Sequence, residues 1–184
     1  MKDPLGIAAL AALVVVALAA MRLGWRHRVA RSEASVGPIP AVPDAAALGD
    51  PTWGPAEATY VSTTAAGDWL DRVAAHDLGV RSRADVSIHP SGVLVARTGA
   101  RDVFIPAAAL RDVMRSPGIA GKVVGRDGLV VLRWELDGNG LDTGLRPRHA
   151  ADRATLLDAV RPLITTAQPG PAGSDPDVSE ERTR

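Results

Sequence analysis

An uncharged, apolar run near the N-terminus constrains this chain more than any other feature of its sequence. From Pro4 to Met21 there are 18 residues without a charged side chain. As a helix rising ~1.5 Å per residue the run spans roughly 27 Å, close to the ~30 Å hydrocarbon core of a bilayer. The run therefore predicts a transmembrane helix. The apolar side chains assigned to this anchor include Leu5, Leu10, Leu13, Val15 and Leu18.

Charges on either side of the run distinguish a retained anchor from a cleaved signal peptide, for which Ala17-Leu18-Ala19 would be the cleavage site. Only Lys2 precedes the run, and Asp3 offsets it. Four arginines follow it: Arg22, Arg26, Arg28 and Arg31. A signal peptide carries its positive charge in front, whereas a basic cluster directly behind the run retains that end in the cytoplasm. We expect a single-pass protein of the cell membrane, with its N-terminus outside and the rest of the chain cytoplasmic.

Composition divides the chain after the anchor region, residues 1–30, into three parts. Residues 31–56 contain five prolines and three glycines, which predicts a semi-extended linker that holds the next domain away from the lipid. Residues 57–167 alternate short apolar segments with turns, which predicts one compact domain. Residues 168–184 are polar and rich in proline, glycine, serine and acidic residues, which predicts a disordered tail.

The charge balance and the absence of cysteine exclude several functions. Residues 57–167 contain 14 lysines and arginines against 13 acidic residues, and the whole chain has a formal net charge of zero. Proteins dedicated to nucleic-acid binding normally carry a basic excess, so we expect no nucleic-acid partner. Without cysteine the chain cannot have a disulfide framework, a thiolate metal site or a cysteine nucleophile.

Apolar and polar residues alternate with the period of β-strands through much of the domain. A first strand is predicted at residues 58–64. Residues 84–88 alternate, and the turn Pro90-Ser91-Gly92 leads into residues 93–95, which predicts a hairpin. Residues 107–115 fit either a short helix or a strand. The pattern favours an antiparallel meander.

The clearest strand covers residues 129–136, with a turn-forming sequence at residues 137–140 and a returning strand at residues 141–145. Its apolar face contains Val130, Leu132, Trp134 and Leu136. Arg133 and Glu135 fall on the opposite face. We therefore expect Trp134 to lie in the core and replacement of Arg133 by alanine to be nearly neutral.

A helical pattern follows Pro147. An apolar stripe at spacings of three and four is formed by Leu156, Leu157, Val160, Leu163 and Ile164. Pro162 is expected to kink or end this helix, because it has no N–H and crowds the carbonyl of Asp158. The chain is thus predicted to be mainly β with a C-terminal helix that plugs an opening in a strongly bent sheet.

Motifs for catalysis or metal binding are weak. Gly118–Val123 superficially resembles a phosphate-binding loop, but the first glycine and the Ser or Thr after the lysine are missing, so a plain loop is favoured. His76 and His89 stand alone in predicted loops, and His149 with Asp152 lacks further ligands. We expect no catalytic residue, metal or cofactor, and no enzymatic activity.

Four arginines are candidates for contact with an anion or a partner: Arg81, Arg83, Arg146 and Arg148. The last two lie directly before the predicted terminal helix, whose N-terminus favours a phosphate or an anionic lipid headgroup. The favoured alternative is a solvated loop that positions the helix. The first two lie between the first two predicted strands, where Asp77 and Asp85 flank them and weaken the case for headgroup binding.

Several short motifs follow one another along the chain: Ala58-Thr59-Tyr60-Val61, Ala66–Val73, Phe104-Ile105-Pro106-Ala107, Gly118–Val124 and Leu141–Arg146. In this order they resemble actinobacterial membrane-anchored proteins with a bacterial pleckstrin-homology-like (PH-like) domain. The resemblance covers about Leu5 to Ile164. It implies a seven-stranded bent antiparallel sheet, or partly open barrel, capped by a C-terminal helix and tethered by one membrane helix. Members of this group are described as membrane or transport proteins without an established activity.

Two functions of different classes remain. The domain is either a protein- or peptide-interaction module and scaffold, or a module that reads anionic lipid headgroups at the membrane surface. A more distant alternative is an accessory subunit of a transporter or export system. Because a transmembrane helix holds a domain far more strongly than a headgroup can, lipid affinity is less necessary, and we favour a protein partner.

Overall fold

The computed structural model describes residues 4–123 and 128–167, which form a bent antiparallel sheet with a C-terminal helix. The strands are β1 Trp53–Ala65, β2 Ser82–His89, β3 Gly92–Thr98, β4 Val103–Pro106, β5 Leu110–Ser116, β6 Gly118–Ile119, β7 Lys122–Val123, β8 Leu129–Leu136 and β9 Asn139–Pro147. The helices are α1 Pro4–Val36, α2 Ala45–Leu48 and α3 Ala150–Ala167, with 3-10 turns at Ala75–Asp77 and Ala107–Ala109. The predicted fold class, mainly β with a C-terminal helix, is confirmed.

Seven strands form one sheet in the order β4-β3-β2-β1-β9-β8-β5, and β6 pairs with β7 in a separate hairpin. Strand β1 has 13 residues and pairs with β2 and with β9. Thr59 lies opposite Arg83 on one side and opposite Arg146 on the other. The predicted first strand is confirmed, although it begins earlier, at Trp53. Strand β1 is thus the central strand of the sheet, with three strands on each side.

The two hairpins predicted from turn-forming residues are both present, as β2–β3 and β8–β9. Strands β2 and β3 pair from His89 and Gly92 outward, with Pro90 and Ser91 between them. Asp137 and Gly138 connect β8 to β9 with positive φ angles of 49° and 79°. Two consecutive positive φ angles are typical of the type I′ turn, whose twist matches that of a hairpin. The ambiguous residues 107–115 form a 3-10 turn followed by β5, so the strand interpretation holds for most of the segment.

The main core lies between the inner face of the sheet and α3. Trp134 and Tyr60 are fully buried there. Helix α3 packs against β5 and the 3-10 turn Ala107–Ala109, and it buries the predicted residues Leu156, Leu157 and Val160. The turn Ala107–Ala109 connects β4 to β5, the two edges that the open sheet leaves apart. The helix therefore fills the opening of the sheet.

Helix α3 contains Pro162 in its interior and continues to Ala167, so of the two expected effects, a kink or an end, the end does not occur. Proline removes a backbone donor and crowds the preceding turn. Leu163 and Ile164 nevertheless pack against the main core in the turn that follows. Burial of these two side chains stabilises the last part of the helix despite the proline.

A second, smaller core lies on the other face of the sheet. It contains Val61, Ile119, Leu129 and Val131, with Met114 packed against it. Ile119 belongs to the β6–β7 hairpin, and a Cβ atom at Gly144 would lie only 2.7 Å from Ile119 Cγ2. The segment expected to be a plain loop is thus a hairpin that covers part of the sheet.

Arg133 lies on this second face, as predicted, but it is not a free surface residue. Its Nε and Nη2 donate to Oδ1 and Oδ2 of Asp142, each at 2.8 Å. Asp142 is 9% exposed and also accepts the N–H of Gly67 at 3.1 Å. The expectation of a nearly neutral Arg133 therefore needs correction, because its loss would leave a nearly buried carboxylate without its cation.

The segment predicted as a semi-extended linker is partly helical and is packed on the domain. Helix α1 continues past residue 31 to Val36, which is 4% exposed and belongs to the main core. Gly37, with a φ of 68°, follows the helix in the left-handed conformation that favours glycine. Helix α2 adds one turn, capped by the side chain of Asp44. The expectation of a semi-extended linker is therefore wrong where this segment is helical, at residues 31–36 and 45–48.

Both histidines expected to stand alone hold this segment. His76 Nε2 lies 2.6 Å from the carbonyl oxygen of Gly37. His89 Nδ1 lies 2.8 Å from that of Gly49, and its Nε2 lies 2.9 Å from Ser87 Oγ. Ser91 Oγ donates to the carbonyl of Leu48 at 3.0 Å. The sequence pattern missed the contacts to Gly37, Leu48 and Gly49 because each joins residues about 40 positions apart.

The predicted anchor residues belong to α1. Leu10, Leu13, Val15 and Leu18 are each at least 60% exposed. Within the part of the chain whose side chains are described, no helix is long and apolar enough to cross a membrane. The predicted tail, residues 168–184, lies outside the described residues, as do the side chains of Leu5, Arg28 and Arg31.

Candidate functional site

Two of the predicted arginines lie in one row across three neighbouring strands. Arg83 on β2 and Arg146 on β9 are the direct neighbours of Thr59 on β1, which lies between them. Both arginines are exposed, and Thr59 is half-buried. Two guanidinium groups from separate strands therefore flank one hydroxyl group, an arrangement that can donate several hydrogen bonds to an oxyanion.

This row lies in a groove of about 680 Å³, which we call the arginine groove. Its lining also includes Glu57, Asp85, Thr98 and Arg148. Three of the four predicted arginines are thus brought together. The fourth, Arg81, is exposed just before β2 and does not line the groove.

Carboxylates offset much of the positive charge of the arginine groove. Arg148 donates to Glu57 in an ion pair, and its backbone N–H donates to the carbonyl of Glu57 at 2.9 Å. The hydrogen bond and charge of Arg148 lower the pKa of Glu57. Asp85 lies opposite Glu57 in the β1–β2 ladder. Among the described residues Arg83 and Arg146 form no ion pair, so these two remain available to an anion.

A second groove, of about 220 Å³, lies between β5 and α3, and we call it the edge groove. Val113 and Leu157, 7% and 4% exposed, provide apolar lining. The other lining residues are Met114, Arg115, Ala154, Asp158 and Arg161. Arg161 donates to Asp158 at 2.8 Å, whereas Arg115 forms no ion pair within residues 4–123 and 128–167.

Sequence reasoning missed the edge groove. Its strand, β5, lies almost entirely within residues 107–115, where the apolar spacing fitted a helix as well as a strand. The order of strands in the sheet places β5 at an edge, and no local sequence pattern encodes that order. The available signal was the terminal helix, since a helix that covers a sheet opening must border one of the sheet's edges.

Arg97 carries a guanidinium group of the kind that binds anions, but its role in this domain is structural. It is 7% exposed, and its Nη2 donates to the carbonyls of Val80 and Asp77 at 2.6 and 3.1 Å. Its Nη1 donates to the carbonyl of Arg101 at 3.1 Å, and its Nε to Ser82 Oγ at 2.9 Å. Burial lowers the pKa of Arg97. Its donors are committed to internal acceptors, so this guanidinium is not a site for an external anion.

A chain of buried hydroxyl groups continues from this region through the main core. Tyr60 donates its phenol proton to the carbonyl of Leu78 at 2.8 Å and lies 2.6 Å from Thr63 Oγ1. Thr63 Oγ1 lies 2.7 Å from Thr143 Oγ1, which accepts the indole N–H of Trp134 at 2.9 Å. Burial raises the pKa of Tyr60 to about 12. The chain joins β1, β9 and β8 and is closed to solvent, so it stabilises the sheet.

Comparison with known proteins places this fold in a family. A family described as bacterial PH domain-like matches residues 36–161, more than half of the chain. The match begins at Val36, the residue with which α1 enters the main core. No curated protein matches the chain. A PH-like domain implies a module for protein or lipid interaction. From its match and its open, helix-capped sheet, the chain belongs to the bacterial PH domain-like family.

Proposed function

We propose that the chain is a single-pass protein of the cell membrane whose cytoplasmic PH-like domain binds a protein partner and has no catalytic role. The tether is supported by the uncharged run Pro4–Met21 and by the arginines that follow it, which favour a cytoplasmic C-terminal side. An anchored domain is already concentrated at the membrane and needs no headgroup to hold it there.

The observation that carries protein binding is the edge groove. An unpaired strand edge presents a row of backbone donors and acceptors, which extended segments of other proteins use as a template. Beside this edge, Val113 and Leu157 offer apolar surface, and Arg115 offers a charge with no ion-pair partner among the described residues. Backbone, apolar and charged contacts together provide both affinity and specificity for a polypeptide.

The alternative, binding of an anionic lipid headgroup, is favoured by the row Arg83–Thr59–Arg146 in the arginine groove. Each unopposed basic residue near an anionic membrane contributes only about 1 kcal/mol. Glu57 and Asp85 line the same groove, and Arg148 is already paired with Glu57. Two uncommitted arginines beside these carboxylates provide a weak attraction, so this function ranks second.

Photo-crosslinking from two positions of the full-length chain in its native membrane tests the choice. A photoreactive amino acid in place of Ala154 probes the edge groove, and one in place of Thr98 probes the arginine groove. We expect a discrete protein adduct from position 154 and none from position 98. Lipid adducts from position 98, without a protein adduct from either position, would contradict the proposal.

A titration with a soluble short-chain phosphatidylglycerol provides the second arm, using the full-length chain in neutral detergent. We expect no saturable binding. Saturable binding that weakens with salt and is lost in the double variant Arg83→Ala/Arg146→Ala would favour the lipid alternative. Arg101→Ala/Arg115→Ala is the matched control, since both side chains are exposed and lie outside the arginine groove.

A further inference from the structure

We propose that the edge groove binds an extended peptide segment of the partner protein, which adds to β5 as a further strand of the sheet. The segment carries an apolar residue and an acidic residue two positions apart. This inference rests on the proposed protein-binding function and specifies its site and the chemistry of its ligand.

Of the two edges of the sheet, β5 is the better template. Strand β4, at the other edge, has four residues and ends at Pro106, which has no N–H to donate. Strand β5 has seven residues, and no strand pairs with its outer edge in the described part of the chain. Its pairing with β8 is irregular between Leu110 and Asp112 and regular from there to Ser116. A regular stretch beside α3 is therefore open to a partner.

The backbone direction within this stretch follows from one hydrogen bond. The N–H of Val113 donates to the side chain of its own neighbour, Oδ1 of Asp112, at 2.7 Å. A donor held by its own neighbour's side chain points away from the ladder, toward the open edge. Because backbone directions repeat every second residue along a strand, Arg115 presents its backbone groups to the same side. An incoming strand would displace Asp112 and bond to both residues.

Side chains beside the edge determine what the added strand carries. Residues opposite Val113 and Arg115 are two positions apart and project from the same face of the added strand. One of them meets the apolar surface of Val113 and Leu157, which favours an aliphatic or aromatic side chain. The other meets the guanidinium of Arg115, which binds a carboxylate with charge-assisted hydrogen bonds.

A selection of displayed random peptides on the full-length chain in neutral detergent tests the inference. We expect binders that share an apolar and an acidic residue two positions apart, and that protect the amides of residues 113–116 from hydrogen exchange. Arg115→Glu should weaken their binding by about tenfold. A peptide with lysine in place of its acidic residue should recover affinity for this variant. Arg101→Glu, at an exposed site away from the groove, should change nothing.

A second variant separates loss of binding from loss of folding. Ala154→Phe fills the groove from a half-buried position on α3 without removing a core side chain. It should abolish binding and leave thermal unfolding nearly unchanged. Asp112→Ala removes the competitor for the Val113 donor and should strengthen binding severalfold.

Several results would overturn the inference. They are a selection without binders, binders that neither Arg115→Glu nor Ala154→Phe affects, and protection outside residues 113–116. If a protein still crosslinks to the chain in those cases, the proposed function stands and only the site falls. A dimer that Arg115→Glu dissociates would assign the groove to a second copy of the chain. Stronger peptide binding after deletion of residues 168–184 would assign it to the chain's own C-terminal segment.

Discussion

The guanidinium carbon of Arg97 lies 3.9 Å from the centre of the Tyr60 ring. Both side chains are buried, and a cation over the face of an aromatic ring is attracted by the ring's quadrupole. Arg97 binds the carbonyls of the connections around the sheet, while Tyr60 binds the hydroxyl chain that runs to Trp134. The pair thus joins the loops of the domain to the centre of its core.

Alkaline pH should destabilise the domain through Tyr60. Burial raises the pKa of its phenol to about 12, while the unfolded chain titrates near 10. The unfolded state therefore loses this proton first as the pH rises. The stabilisation is fully present below pH ~10 and is lost between about pH 10 and 12, in total about 3 kcal/mol.

Tyrosinate absorbance measures this titration directly, because the chain has a single tyrosine. The midpoint should lie near pH 12 in the folded protein and near 10 in concentrated urea. A midpoint near 10 in both conditions would contradict the burial of Tyr60.

Replacing Arg97 by alanine should cost about 3 kcal/mol in the free energy of unfolding, because several buried carbonyl groups lose a charged donor. Arg101→Ala is the control: only its backbone carbonyl contacts Arg97, so the cost should stay below about 0.5 kcal/mol. Urea denaturation of the two variants provides the comparison. Equal losses would mean that the guanidinium of Arg97 is not buried in these contacts.

Trp134→Ala should cost about 3–5 kcal/mol by removing a large core side chain. Trp134→Phe should cost about 1 kcal/mol, since it mainly removes the hydrogen bond to Thr143. Arg133→Ala should also cost about 1 kcal/mol, because Asp142 loses its bidentate partner. A neutral Arg133→Ala in urea denaturation would show that this ion pair does not stabilise the folded chain.

These stability effects mark what the sequence could and could not predict. The strand around Trp134 was predictable because its alternation and its turn residues agree. Its second face was not, because the hairpin that covers Val131 lies in residues 118–123, which were expected to form a plain loop. Arg97 escaped prediction since arginine is usually exposed, and only the three-dimensional contacts reveal its acceptors.

The orientation of the proposed membrane tether is testable with reporter fusions. Four arginines behind the apolar run should retain the C-terminal side in the cytoplasm. A C-terminal alkaline phosphatase, which needs export for activity, should therefore be inactive, and a C-terminal fluorescent protein should fluoresce. An active phosphatase, or a mature chain that begins near Ala20, would contradict the proposed topology.

The domain should need the segment before Glu57 in order to fold stably. Trp53 and Ala56 pair with β2, and Val36 lies in the main core. A fragment of residues 36–167 should therefore unfold at a higher urea concentration than one of residues 57–167. Adding Val36→Ala to the longer fragment should lower its urea midpoint part of the way toward that of the shorter fragment. Identical midpoints would show that the packed segment contributes no stability.

The candidate sites were predictable to different degrees. Arg83 and Arg146 could be named because unpaired arginines beside turns and helix starts are standard anion candidates. Their meeting across Thr59 depended on the strand order, which put β9 beside β1. The packed linker was missed because proline and glycine indicate loops, whereas contacts from His76 and His89 decide whether a loop is free or bound.

The junction at Val36 and Gly37 joins the end of α1 to the sheet domain through side-chain and backbone contacts. Val36 is packed in the core, and the carbonyl of Gly37 is bound by His76 in the turn Ala75–Asp77. The next residue along from His76, Asp77, supplies a carbonyl to Arg97. A displacement of the end of α1 would therefore disturb the turn Ala75–Asp77 and, through it, the contacts of Arg97. The end of α1 is thus fixed to the domain by core packing and a hydrogen bond as well as by the covalent chain.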